Sequence, residues 1–328
     1  MDWNSYFNNF DKNLREKLLT IGDVSSSEDC PFWELPETEY KFLINSYLNL
    51  NNLSFATIVS KQYLSHYPKS SDAVLEYCNT LIDNQLIDEA EQVINEKFDI
   101  VTPKSLASFI YCRIDIYRGA LNEADEILSS AIKSNYDDFE IYKPITQIAT
   151  DCYKRRYYAK AIEYFNLLSE LNNTILINHY FLMALCYYKL RKYNDAISLL
   201  NKYLNVDTFN FEAWLTLGDI YSEKGDIENA CNAYENAHLI DKQNLEALYK
   251  LGISNLTLDR ASEAVKNFEL LCEIKRNDIE GNLALASSYL ALSDLKSAEF
   301  TFHKVLALQK DNQNALKGIE QIKKLRND

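Results

Sequence analysis

The residues able to hold a metal or drive a nucleophilic reaction are few, and their spacing decides what they could do. Four histidines, His66, His179, His238 and His303, stand far apart, and none lies at metal-ligand spacing from another. Seven cysteines include no Cys-x-x-Cys pair, yet Cys78 and Cys112 are 34 residues apart, as are Cys152 and Cys186. Paired thiols at a fixed interval would suit a metal or a redox couple. They would also follow from a chain that repeats itself every 34 residues. The seven glycines form no phosphate-cradling loop, and Gly119 and Gly225 read as turn residues. Carboxylates are dispersed over helix surfaces, and no nucleophile stands beside a base. The expectation is no catalytic residue, no metal, no cofactor, and a protein that is not an enzyme.

Composition narrows the partners. Lys and Arg number 34 against 48 Asp and Glu, so the net charge is −14 over 328 residues, and such a chain repels a phosphate backbone. Nucleic acid is not an expected partner. The basic run "KRRYYAKAIEYF", residues 154–165, stands out against this background. The N-terminus Met1-Asp2-Trp3-Asn4 has neither the basic opening nor the apolar run of a signal peptide, and no stretch approaches the roughly 18 apolar residues of a membrane span. A cytoplasmic protein without membrane insertion is expected, with its odd, scattered cysteines as reduced packing residues.

The elements that must position these residues emerge when the chain is compared with itself. Eight segments, "NLNNLSFA", "DNQLIDEA", "YRGALNEA", "KRRYYAKA", "KLRKYNDA", "EKGDIENA", "TLDRASEA" and "ALSDLKSA", end at Ala56, Ala90, Ala124, Ala161, Ala196, Ala230, Ala264 and Ala298. The intervals are 34, 34, 37, 35, 34, 34 and 34 residues. Apolar residues of helical period flank each segment. In the clearest copy Trp214, Leu217, Gly218 and Tyr221 share one face of a first helix, and Ala230, Tyr234 and Ala237 one face of a second. Small residues at the contact allow close approach, and the aromatics fill the space around it. Each unit is thus a helix-turn-helix hairpin, and the cysteine spacing is the repeat itself: Cys78 and Cys112 hold its small-residue position.

This pattern resembles the tetratricopeptide repeat family, whose consensus large, small and aromatic residues match Trp214, Leu217, Gly218, Tyr221, Gly225, Ala230, Tyr234 and Ala237. The resemblance implies an all-α, right-handed α-solenoid of about eight hairpins over residues 37–312, with units starting near 37, 71, 105, 142, 177, 211, 245 and 279. Departures include Asp115 and Asn255 at the first-helix aromatic, Lys97 at a small apolar place, and insertions around Tyr136 to Phe139 and Asn172 to Thr174. A solenoid needs caps. Residues 313–328 supply a C-terminal capping helix with Leu316, Ile319 and Ile322 on one face. Residues 1–36 supply an amphipathic helix (Trp3, Phe7, Phe10, Leu14, Leu18) and a linker with Phe32-Trp33.

The resemblance further implies that first helices line an inner wall that binds a peptide or helix. There the third unit would present Phe109, Ile110, Arg113, Ile116 and Tyr117. The fourth would present Lys143, Thr146, Gln147, Thr150, Tyr153 and Lys154, and the fifth Phe181, Leu182, Leu185, Tyr188 and Lys189. That is an apolar, aromatic strip margined by cations, and the basic run is part of its margin. The competing reading is a tight coil whose own side chains fill the interior. Farther on, Glu212, Asp219, Glu223 and Glu246 with Tyr249 and Lys250 make an acidic end. The five-residue clamp by which some family members hold the acidic C-terminus of Hsp70 or Hsp90 is not reproduced: Lys41 and Asn45 match, but Glu76, Leu106 and Ile110 replace the other three. The expected function is a non-enzymatic adaptor or scaffold for a protein or peptide partner, an amphipathic segment included. The alternatives are a self-assembling structural protein, with a homo-oligomer as its consequence, and an autoinhibited regulatory subunit of a larger complex.

Overall fold

The computed structural model describes residues 35–133, 141–171 and 177–327. The expected N-terminal amphipathic helix with Phe32-Trp33 and the two insertions lie outside the described residues. Among those described, all regular structure is helical, in seventeen helices.

The chain divides into two compact units, residues 1–155 and 156–328. The first carries α1 (Glu37–Asn49), α2 (Leu53–His66), α3 (Ser71–Asp83), α4 (Ile87–Lys97), α5 (Lys104–Arg118), α6 (Leu121–Lys133) and α7 (Tyr142–Lys154). The second carries α8 (Tyr158–Leu171), α9 (Ile177–Lys189), α10 (Tyr193–Leu204), α11 (Phe211–Glu223), α12 (Ile227–Ile240), α13 (Leu245–Thr257), α14 (Ala261–Ile274), α15 (Ile279–Ala291), α16 (Leu295–Leu308) and α17 (Gln313–Asn327).

Local chemistry explains where the helices stop and start. A residue in the left-handed region follows the odd-numbered helices from α1 to α15: Asn51, Gln85, Gly119, Arg156, Arg191, Gly225, Asp259 and Ser293, with φ from 54° to 84°. Their intervals repeat those of the aligned alanines. The next residue closes the turn on a carbonyl five positions back, as Asp226 N–H does on Tyr221 and Arg260 N–H on Asn255, at 2.9 and 2.8 Å. In the second unit Asn210, Asn244 and Asp278 cap α11, α13 and α15 by accepting from the N–H of Ala213, Ala247 and Gly281 at 3.0, 3.1 and 2.7 Å. Such caps contribute about 1 kcal/mol each.

The aligned alanines, from Ala56 to Ala298, are all fully buried. Each lets the start of a second helix lie against the first. The same economy of volume recurs where an aromatic ring meets a glycine backbone: a Cβ at Gly218 would stand 2.4 Å from Tyr234, and one at Gly252 2.5 Å from Phe268. In the first unit α5 packs on both α3 and α7, and in the second α15 packs on both α13 and α17, with no comparable contact between even-numbered helices among the described residues. The odd-numbered helices therefore stand on the inside of the curve within each unit.

The last helix, α17, differs in one residue from the face expected of it. Ala315, Ile319 and Ile322 are buried on Ala286, Ala298, Phe302 and Val305, whereas Leu316 is 43% exposed. Gly318 is the reason: a Cβ there would lie 2.3 Å from the Phe302 ring, so the ring sits against the helix backbone. The face presented is 315, 318, 319 and 322, which turns Leu316 outward.

Candidate partner-binding surface

In the first unit the expected partner wall is occupied by the protein's own side chains. Phe109, Ile110, Arg113 and Ile116 are 2, 3, 1 and 0% exposed, so none of the four presents a surface. Ile110 joins a core with Val74, Leu81 and Ile114. Arg113 is buried because its charge is met on three sides. Its Nε donates to Asp151 at 2.6 Å, Nη1 to Asn79 at 2.6 Å and Nη2 to Asp83 at 2.7 Å. The hydroxyl of half-buried Tyr117 donates to Asp151 at 3.3 Å. A buried cation persists only when paired in this way. Burial pulls the Arg113 pKa down, but Asp151 and Asp83 together lift it above the ordinary arginine value, so it stays charged.

The expected cationic margin is engaged as well. Lys143 on α7 reaches Glu76 on α3 at 3.0 Å, and Lys154 stands 3.7 Å from Asp83. The Arg155 guanidinium lies 5.6 Å from the Tyr117 ring centre. Tyr153, Thr146, Gln147 and Thr150 are half-buried, and the Thr150 hydroxyl donates to the Thr146 carbonyl at 2.8 Å. Lys41, one of the two clamp matches, is bonded to Asp72. The wall joining α3, α5 and α7 is thus a polar core bounded by salt bridges.

The second unit keeps its inner side chains closer to solvent. Phe181 stacks on Tyr203 with ring centres 5.5 Å apart, and Leu182 and Leu185 are half-buried. Glu223 accepts from the Tyr188 hydroxyl at 2.7 Å and the Tyr193 hydroxyl at 2.8 Å, which together hold its carboxyl below the usual range. Lys189 lies 5.3 Å from the Tyr188 ring centre. The expected acidic end is partly neutralised from within: Lys250 bonds Asp219 at 2.7 Å and Glu246 at 2.8 Å.

Beyond this tyrosine-lined stretch an open hollow of about 590 Å³ lies between α13, α15 and α17. Tyr249, Ile253, Leu256, Leu283 and Leu290 give it an apolar floor, and Glu280, Ser287, Lys317 and Gln321 a polar rim. Ile253 is 39% exposed, an aliphatic side chain on an inner helix with no cover. Of these residues the sequence reading named only Tyr249. The unit positions of Phe109, Arg113 and Ile116 are held in the last two units by Tyr249, Ile253 and Leu256 and by Leu283, Ser287 and Leu290.

Reactive chemistry has little support among the described residues. No group of three His, Cys, Asp or Glu side chains is arranged to hold a metal. Six cysteines are buried, and burial pushes the Cys78 thiol up to about 12, far from the thiolate a nucleophile needs. No described helix is long and apolar enough to cross a membrane.

Comparison with known proteins agrees with the hairpin series. Residues 211–244 and 180–206 each match a tetratricopeptide repeat profile. Superkiller complex protein 3 of Homo sapiens is 21% identical over 110 residues, which are 34% of this chain and 7% of that protein. Among solved structures, YrrB, a TPR protein with an unusual peptide-binding site, aligns with 58% of this chain and 97% of its own at 18% identity and a TM-score of 0.51. MamA aligns with 52% of this chain and 93% of its own at 20% identity and a TM-score of 0.48. Residues 180–206 and 211–244 are thus tetratricopeptide repeats by profile, and paired helices, left-handed turns and buried alanines continue the same hairpin series, at intervals of 34 to 37 residues, through the described residues.

Proposed function

We propose that this protein is a non-enzymatic interaction module that holds a peptide or helix of a partner protein on the inner wall of its second unit. Residues 37–312 are read as eight hairpin units and 313–328 as their cap, in a protein of the cytoplasm. The observation that carries the reading is the hollow between α13, α15 and α17. Its apolar floor is open, whereas the corresponding wall of the first unit is closed by Arg113, Asp151 and Asp83. Exposed apolar surface rimmed by polar groups favours a protein partner. A peptide is the partner class that YrrB's description names, and that class is carried over here as part of the proposal.

Phe181, Leu182, Leu185, Tyr188 and Lys189 extend the site toward α9, and the Tyr188 and Tyr193 hydroxyls hold Glu223 in place along it. Ile253→Glu with Leu290→Glu puts two charges on the floor, the first at an exposed side chain and the second at a half-buried one that also borders the α15–α16 core. Capture of partner protein from a native lysate should fall at least tenfold while helical circular dichroism is kept. Undiminished capture by the folded variant would place the site elsewhere.

A further inference from the structure

A second hollow, of about 650 Å³, opens on the other side of the same unit, between α14, α15 and α16. It exists where the chain breaks its own pattern. The equivalent position of the hairpin units is apolar or aromatic at Tyr40, Val74, Ile145, Tyr180, Trp214 and Leu248; it is polar at the half-buried Ser108 of the third unit and at Asn282 of α15, and of these two only Asn282 is fully buried. Asn282 is fully buried and borders the hollow. Its amide nitrogen donates to the carbonyls of Asp278 and Arg276 at 2.6 and 3.3 Å, which fixes the orientation of the amide. Its Oδ1 is left buried without a hydrogen-bond partner among the described residues. A polar group that breaks the packing pattern and is left unsatisfied points to a ligand rather than to stability.

The rim states the ligand's charge. Arg276, Lys296 and Lys304 border the hollow, and none of them forms an ion pair among the described residues. Lys296, Phe300 and Lys304 follow at four-residue spacing along one stripe of α16, and Phe300 is 74% exposed. Of the two acids present, Glu269 is held by the Tyr289 hydroxyl at 2.5 Å, leaving Glu273. In a chain of net charge −14 this is a local cationic margin around an apolar anchor and a buried acceptor.

We propose that this outer hollow is a second binding site, taking a short acidic segment of a partner protein: carboxylates on Arg276, Lys296 and Lys304, an apolar side chain on Phe300, and an N–H directed at Asn282. A phosphate backbone matches the cations but offers no donor to the Asn282 carbonyl, and it meets the repulsion of the whole chain. A peptide offers both groups. This site is independent of the inner wall proposed above.

The test uses the full chain and a fluorescein-labelled peptide of alternating glutamate and leucine, followed by anisotropy, with its lysine–leucine counterpart and a labelled single-stranded RNA as comparisons. Saturable binding of the acidic peptide should weaken at least tenfold in Lys296→Glu/Lys304→Glu and stay unchanged in Lys323→Glu, a charge reversal elsewhere on the surface. Asn282→Leu, which restores the residue type of Leu248, should weaken it at least tenfold while raising Tm. No saturable binding of the acidic peptide would overturn the proposal. So would wild-type affinity in either hollow variant, or RNA or the basic peptide binding with the same residue dependence.

Discussion

Arg113 and Asp151 meet at 2.6 Å with both side chains 1% exposed, and the pair joins the C-terminal halves of α5 and α7 in the interior of the first unit. Removing one member strands the other's charge out of water. Arg113→Ala should therefore destabilise the first unit by about 3–5 kcal/mol, read as a lower denaturation midpoint. Arg113→Met with Asp151→Leu should recover part of that loss, because the fully buried carboxylate leaves with its partner, while Asp83, 17% exposed, keeps Lys154 at 3.7 Å. A partner-binding arginine on an open wall would give neither result.

Gly252 and Gly225 separate two uses of glycine. At Gly252 a methyl group would meet the Phe268 ring at 2.5 Å, so Gly252→Ala should cost about 1–3 kcal/mol through overpacking between α13 and α14. At Gly225 nothing lies within 4 Å of the added carbon, but φ is 80°. Gly225→Ala should cost about 1 kcal/mol, through backbone conformation alone. Denaturant titration of the two variants measures the difference.

His238 gives the second unit a pH dependence. Burial first, then Lys242, hold its imidazole below the ordinary value of 6.5, against the opposing pull of Asp241 and Glu235. The folded state therefore binds this proton less readily than the unfolded chain. The stability contribution is complete above about pH 6.5 and is lost as pH falls through the lowered folded value. Tm should fall between pH 7 and pH 5, and His238→Gln should have a shallower decline over that window. Parallel declines in the two proteins would remove His238 from the account.

The hairpin series was legible because its marks are local. Ala56 to Ala298 recur in the sequence at the interval at which the structure buries them, and Gly218 with Tyr234 displays one helix contact within a single unit. Six of the eight left-handed turn residues were not legible, since Asn51, Gln85, Arg156, Arg191, Asp259 and Ser293 share no side-chain chemistry. They are left-handed because the turn closes there. The interior fate of Arg113 was hidden for a different reason: Asn79 lies one 34-residue repeat away, but the carboxylates Asp83 and Asp151 lie 30 and 38 positions away, distances that the repeat does not mark. Charge alone made Arg113 look like a margin. Ile253 and Leu290 occupy the same unit positions as the expected Arg113 and Ile116, but whether such residues are covered depends on how tightly successive inner helices close.

The most direct test of the inner-wall site is placement of a photo-crosslinking residue at Ser287, exposed at the rim of the hollow between α13, α15 and α17, and at Ser262, exposed on α14. The account predicts that Ser287 yields a specific crosslinked partner that Ile253→Glu/Leu290→Glu abolishes, and that Ser262 does not. Crosslinking from Ser262 but not Ser287, or a Ser287 product that persists in the floor variant, would contradict it.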